Sequence, residues 1–452
     1  MLPHRRTGLL TFFQQPALRK HKEYFMNSGI STPPVFDLEL IRRQFPALCK
    51  EPREERPIYL DGAAGTQVPQ GVIDAVSEYY RHSNANLGGA FAASLDTGET
   101  YALAHQAMAD FVGATSLEEI VFGPNMTSLT FDFTQVIGDL LQPGDEIILT
   151  RMDHDGNVTP WLTLAEEKGL EVKWLPFNGE TFRFELETLQ ELIGPRTRFA
   201  AINYASNLLG TINDIPAICE LLNQAEVLSY IDAVQYAPHG ELDVSSLGCD
   251  FLVCSAYKFF GPHQGILWGR RNLLETLRAR KLKASLDALP GKFETGTPAF
   301  ELMAGTQAAV DYFAWVGRTF AGAEALPWGG KHVEINAGKR ILLAQEQKLT
   351  RQLLAGLQSF NGVTIQGIRD AESVSERVST VSFTVRGHRP EHLATALAQH
   401  HIACWSGHNY ALQVVDQLDL MEQGGVVRVS PVHYNSSAEI DRFLEVLGGL
   451  LA

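Results

Sequence analysis

Cysteine is scarce in this chain: Cys49, Cys219, Cys249, Cys254 and Cys404 are the only five in 452 residues, and no two form a CxxC pair. A disulfide framework and a structural metal site are therefore not expected, and a reducing, cytoplasmic setting fits. Long apolar runs are missing too. None approaches the roughly 18 residues that a membrane-spanning helix needs, so no membrane partner is expected. Cations are outnumbered, with 37 Lys and Arg against 52 Asp and Glu and a net charge of −15. An acidic surface favours solubility and lacks the cations that displace counterions from a phosphate backbone, which argues against nucleic acid as a partner. Repeats and low-complexity tracts are absent. What remains, 45% apolar and 20% charged, is ordinary globular composition in a chain long enough for two or three domains.

Ahead of Met26, Arg5, Arg6, Arg19, Lys20 and Lys22 stand against one acid, Glu23. The apolar piece GLLTFF is too short for a secretory signal. Residues 1–35 are expected to be a disordered extension, with Met26 as an alternative start. In FDLELIRRQFPAL, Leu38, Ile41 and Phe45 share a helical face, and residues 36–60 are expected to pack on a small C-terminal domain. From 61 to 305, helical stretches such as GVIDAVSEYYRHS and ETYALAHQAMADFVGA alternate with short apolar runs such as EEIVFG, DEIILT, RFAAIN, VLSYID and DFLVCS. That alternation predicts a large α/β domain with a mostly parallel sheet and helices on both faces. The ligand crevice of such a sheet lies outside the carboxyl ends of its strands, where Asn125, His154, Asn207, Asp232, Gln235 and Lys258 stand. Connecting helices are expected over 306–345, interrupted by a loop at Pro327, Trp328 and Gly329–Gly330. Residues 346–452 read as a smaller α+β domain that includes IACWSG, with Cys404 at the end of an apparent strand.

One chemistry suits an aspartate after one strand and a lysine after the next. Pyridoxal 5'-phosphate needs a lysine for its Schiff base and an acid to keep its pyridinium nitrogen protonated; Asp232 and Lys258 supply those groups. GPNMTSLT places Asn125, Met126, Thr127 and Ser128 just ahead of a helix, a suitable phosphate site, although plain N-capping by Asn125 or Thr127 reads the same. His154 in MDHDGN could stack on a ring or lie on the surface.

LDGAAGTQVP, DHDGNVTPW, YASNLLGTIND, YIDAVQYAPHG, CDFLVCSAYKFFGPHQG, FETGTP and VVRVSPVHYN together resemble the class V aminotransferases of pyridoxal-phosphate fold type I, over about Phe36 to Leu451. The chain is most similar to their cysteine desulfurase and selenocysteine lyase branch. The resemblance implies that Lys258 forms the Schiff base and moves the α-proton, Asp232 pairs with the pyridinium nitrogen, and Gln235 and Asn207 approach the ring oxygen. It implies that His154 stacks on the ring, that Met126, Thr127 and Ser255 hold the phosphate, and that Arg428 forks the substrate carboxylate. Gly296 and Thr297 would reach the phosphate of a neighbouring subunit, which implies a homodimer with shared sites.

Three positions depart from that branch. Tyr257 precedes the lysine where a phosphate-binding histidine is usual; a phenol still donates a hydrogen bond. NANLGGAF, with Gly88 and Gly89, lacks the arginine of the Asn-Val-x-Arg-Gly segment. WSGHNYALQ puts Tyr410 at the position of the sulfur-accepting cysteine and Trp405 at that of an arginine. Cys404 lies nearby and reads as a small buried hydrophobe. NYAL with the GGVVRV…HYN ending is similar to a cysteine desulfurase-like subgroup. The expected function is C–S or C–Se cleavage or β-elimination of a small, cysteine-like amino acid. Transamination, epimerisation and a non-catalytic cofactor-binding role remain as alternatives. Trp405 and Tyr410 would make the substrate pocket more apolar and favour a side chain larger than that of cysteine.

Overall fold

A computed structural model describes residues 36–49, 56–322 and 330–452. The expected extension over 1–35 lies outside the described residues, as do Pro327, Trp328 and Gly329 of the expected loop. Strand β1 (Ile58–Tyr59) comes first. The next seven are β2 (Ile120–Gly123), β3 (Glu146–Thr150), β4 (Glu171–Leu175), β5 (Thr197–Asn203), β6 (Leu228–Asp232), β7 (Phe251–Ser255) and β8 (Gly265–Gly269). They form one sheet in the order β2-β8-β7-β6-β5-β3-β4. Five neighbours, β7 to β4, run parallel, while β8 is antiparallel to both β2 and β7.

Every residue of EIILT in β3 and FLVCS in β7 is buried. A sheet covered on both faces needs such continuous apolar runs rather than alternation. One face packs on the helices Ala92–Val112, Ile215–Gln224 and Phe300–Phe320, the other on Met126–Gly138 and Thr159–Lys168. The antiparallel β8, GILWG, was not foreseen from the sequence: glycine at both ends hides its strand character.

The small domain carries β9 (Val363–Gln366), β10 (Val381–Val385), β11 (Ile402–Ala403), β12 (Trp405–Gly407) and β13 (Val426–Val429). Four of these make an antiparallel sheet ordered β12-β13-β10-β9. Its core faces Leu349, Leu353, Leu393, Leu397, Ile440 and Phe443 of three helices. IACWSG holds two short strands on either side of Cys404. β11 pairs parallel with β1, and after Cys404 the chain changes sheets to pair antiparallel with β13.

The helices Phe300–Phe320 and Lys331–Gln358 meet backbone to backbone. A Cβ on Gly317 would lie 2.0 Å from Glu334 O, and one on Gly338 2.1 Å from Phe313 O. The N-terminal segment touches both domains: Phe45 packs its ring on Phe260 and Tyr312, while Arg42 pairs with Glu439 at 2.9 Å.

A second junction is polar. Arg377, 1% exposed, donates to the carbonyls of Leu209 and Val378, each at 3.3 Å, and to those of Ile368 and Thr380. Leu209 belongs to the YASNLLG loop of the large domain, so one guanidinium fastens that loop to the small domain. Arg377→Met leaves buried carbonyls unpaired, at ~1–3 kcal/mol each. It is expected to lower unfolding stability by about 3 kcal/mol or more in a urea titration; a loss below about 1 kcal/mol would show that the carbonyls find other partners.

Candidate active site

The carboxyl ends of β3, β5, β6 and β7 deliver polar groups to one rim. β6 ends on Asp232, whose carboxylate accepts from Val234 N at 2.8 Å. β7 ends on Ser255, whose Oγ accepts from Met126 N at 3.2 Å at the start of the helix Met126–Gly138. Asn125 caps that helix through Ser128 N at 2.9 Å. The helix start can approach so closely because β8 begins with glycine: a Cβ on Gly265 would lie 2.3 Å from the Asn125 carbonyl carbon.

Beyond β7 the chain turns through Ala256–Lys258. Lys258 Nζ donates to the carbonyls of Ala63 and Ala64, the latter at 3.0 Å, and Gln235 Nε2 donates to Ala63 O at 2.8 Å. The turn LDGAAG therefore holds the amine in place. Asp61 and Gly62 of the same turn pair with Ser430 of the small domain.

Two cavities meet at Lys258. The inner, about 330 Å³, is lined by Met126, Thr127, His154, Asn207, Asp232, Gln235, Ser255, Tyr257 and Lys258, along with Asn203 and His263. The outer, about 890 Å³, shares Thr127, His154, Asn207, Tyr257 and Lys258 and adds Arg428, Tyr410, Trp405 and Phe131. Arg428 is 5% exposed and donates to Asn207 O at 2.9 Å. Asn207 Nδ2 donates to Asn409 O at 2.7 Å, while its Oδ1 is buried without a partner. The His154 and Tyr410 rings stack at 5.4 Å and 27°. Gly296, Thr297 and Cys404 line neither cavity, and the first two are exposed.

Burial dominates the electrostatics. It lowers the Lys258 amine to about 7, with Arg428 adding to the effect and Asp232 and Asp61 opposing it. Burial raises Asp232 to about 6, against the Val234 N–H and the charge of Lys258. His154 falls to about 4, through burial first and then Lys258 and Arg428, and is neutral near pH 7. Arg428 drops only to about 10 and keeps its charge. Burial, with Asp61 contributing, pushes the Cys404 thiol up to about 12.

Sequence reasoning missed Asp153 and the Ala63 and Ala64 carbonyls. Asp153 is buried, takes hydrogen bonds from Thr150 and from Asn157 Nδ2 at 2.8 Å, and burial, with the nearby Asp232 adding to it, raises its carboxyl well above the usual carboxylate range. The signal was available, since MDHDGN holds two acids beside the histidine that drew attention. Backbone acceptors carry no residue-type signal.

The donor set fits a phosphorylated pyridine. A helix start, a threonine and a serine hydroxyl stand at one end, with a buried carboxylate at the other and an amine that is substantially neutral between them. These are the features of a fold type I pyridoxal-phosphate site. A sequence profile of the aminotransferase class-V family matches residues 58–325 and 329–443. The chain belongs to that family and is a pyridoxal 5'-phosphate-dependent enzyme of fold type I. It is 33% identical over 420 residues to an aminotransferase-like protein, FGM3, of Gibberella zeae, covering 91% of this chain and 98% of that one. It is 32% identical to a probable cysteine desulfurase of Pseudomonas putida, covering 90% and 96%. In structure it is similar to an apo cysteine desulfurase from Thermococcus onnurineus, with TM-score 0.80, 28% identity, and 93% and 99% of the two chains covered.

The depressed amine can be measured without cofactor. In the apoprotein, Lys258 is expected to react with acetic anhydride with an apparent pKa near 7, and Asp232→Asn to lower it further by removing a stabilising charge. Peptide-resolved competitive labelling would read this. An apparent value of ~10, that of an ordinary lysine, would refute the burial argument.

Proposed function

We propose that this enzyme breaks the Cβ–S or Cβ–Se bond of a cysteine-like amino acid without passing the chalcogen to a protein thiol, by β-elimination. The observation that carries this reading is the lining of the two cavities: among the described residues, no cysteine reaches either. Tyr410 occupies the loop position facing His154, and a phenol cannot become a persulfide. Cys404 is only partly buried at the change of sheets, but its thiol, pushed up to about 12, stays protonated at neutral pH.

Bound pyridoxal phosphate supplies an electron sink for the pair released from the substrate's Cα–H bond. Lys258 stands where the cavities meet, so one amine holds the cofactor at rest and moves the Cα proton in turnover; a pKa near the working pH suits a general base. Asp232 would keep the pyridinium nitrogen protonated, and Gln235 and Asn207 would approach the ring oxygen. Met126 N–H, Thr127, Ser255 and the Tyr257 hydroxyl would hold the phosphate. His154, neutral, would lie on the ring face. Arg428, charged and without an ion-pair partner among the described residues, would fork the substrate carboxylate. Gly296 and Thr297 are exposed and away from their own chain's cavities, which supports a homodimer in which they complete the neighbouring site.

The test is a product assay with L-cysteine and L-selenocysteine. Pyruvate and ammonia are expected, together with sulfide or selenide, and Lys258→Ala should lower kcat by ~10²–10⁴-fold. Alanine as the main product would overturn elimination, and an unchanged rate in Lys258→Ala would remove the assigned base.

A further inference from the structure

Three large aromatic side chains are left in water around the outer cavity. Trp405 is 52% exposed, Tyr410 64% and Phe131 41%, and all three line it. Exposed aromatics gathered around a concavity, rather than scattered singly, mark a surface kept for a ligand. Their placement is built in. Trp405 pairs directly with Arg428 across β12 and β13. Cross-strand partners project from the same face of a sheet, so the indole stands beside the guanidinium assigned to the substrate carboxylate. Tyr410 is fixed from both sides: its carbonyl accepts from Asp155 N at 2.7 Å, its N–H donates to His408 Nδ1 at 3.0 Å, and its ring stacks on His154. Asn409 and Tyr410 both take left-handed backbone, with φ of 50° and 58°. Such conformations persist in non-glycine residues where the surroundings over-determine them, and they cluster at ligand clamps.

The dimensions and charges of the cavity narrow its occupant. At about 890 Å³ it lies at the upper end of the range that takes a drug-sized molecule, far more than the thiol of free cysteine would fill. Its cations, Arg428 and Lys258, are buried at the inner end, and the one carboxylate on its lining, Asp155, already accepts from Thr159 Oγ1 at 2.7 Å. Among the described residues, no lysine or arginine lines the cavity apart from Arg428 and Lys258, so its outer part offers aromatic surface rather than a cation for an anionic or phosphorylated substituent.

We propose that the substrate class is a cysteine S-conjugate with a flat, uncharged aryl or arylmethyl group on sulfur, seated against Trp405, Tyr410 and Phe131. This rests on the C–S cleavage reading and extends it. For such a substrate, R–S–CH2–CH(NH3+)–COO− and one water give the thiol R–SH, pyruvate and ammonium. The Cα–H and Cβ–S bonds break and the sulfur leaves with the bonding pair and takes a proton; the aminoacrylate released takes a proton at Cβ, and water then replaces its Cα–N bond with the pyruvate carbonyl, so that no external oxidant or reductant is needed.

The deciding measurement is calorimetric binding to the holoenzyme of two ligands that lack an α-proton, α-methyl-S-benzyl-L-cysteine and α-methyl-L-cysteine. The benzyl compound is expected to bind at least roughly tenfold tighter, and Trp405→Ala to shrink that ratio to within about threefold. Equal or weaker binding of the benzyl compound overturns the proposal, as does a ratio that Trp405→Ala leaves unchanged. Turnover of L-cysteine and S-benzyl-L-cysteine separates the two readings. Pyruvate from cysteine with no binding preference sinks the substrate class alone. A preserved preference with no pyruvate from either compound sinks the elimination reading and leaves the aromatic receptor standing.

Discussion

The hold of the Ala63 and Ala64 carbonyls on the Lys258 amine is the contact around which this active site is organised. The turn that offers them is anchored on three sides. Gly62 N donates to Ser430 O of the small domain, Thr66 N donates to Tyr257 O, and the Thr66 hydroxyl accepts from Phe260 N at 3.0 Å. A lysine buried this deeply would lose its solvation unless other acceptors replaced water. The turn supplies them, and it also bridges Gln235, just beyond the strand that ends on Asp232, and Ser430, just beyond the strand that carries Arg428. A short segment far from both in sequence thus brings the two domains' polar groups into register.

The fold was largely legible in the sequence, because parallel strands buried on both faces leave short apolar runs that alternate with helices. Asp232 and Lys258 could be picked out for the same reason, since each closes such a run. Positions set by tertiary pairing were harder. The break at Cys404 follows from two sheets competing for one segment, which no local period records. β8 was hidden by its glycines, one of which is there for the close approach of a helix start rather than for strand propensity. Asp153 was overlooked although its neighbour His154 was not: MDHDGN offers two acids, and the folded chain singles out Asp153 by burying it beside Asp232.

The site is also electrostatically divided. Its deep end concentrates ionisable groups whose charges are shifted by burial, among them Lys258, Asp232, Asp61 and Asp153. Its mouth is aromatic and sparsely charged. Groups that exchange protons therefore sit where water is excluded, and groups that discriminate by shape sit where ligands arrive. Substitution at the mouth can change what is accepted while leaving the proton chemistry beneath it intact.

The meeting of Gly317 with Gly338 bears on how such a molecule can move. Where two helices touch through bare backbone, no side chain is present to change rotamer and take up a tilt, and close-packed atoms compress very little. The crossing behaves as a pinned joint. One of the two helices packs on the large sheet and the other runs on into the core of the small domain, so this glycine crossing is a tight joint between the two layers. With little slack at that joint, the buried amine is approached through the outer cavity, past Trp405, Tyr410 and Phe131.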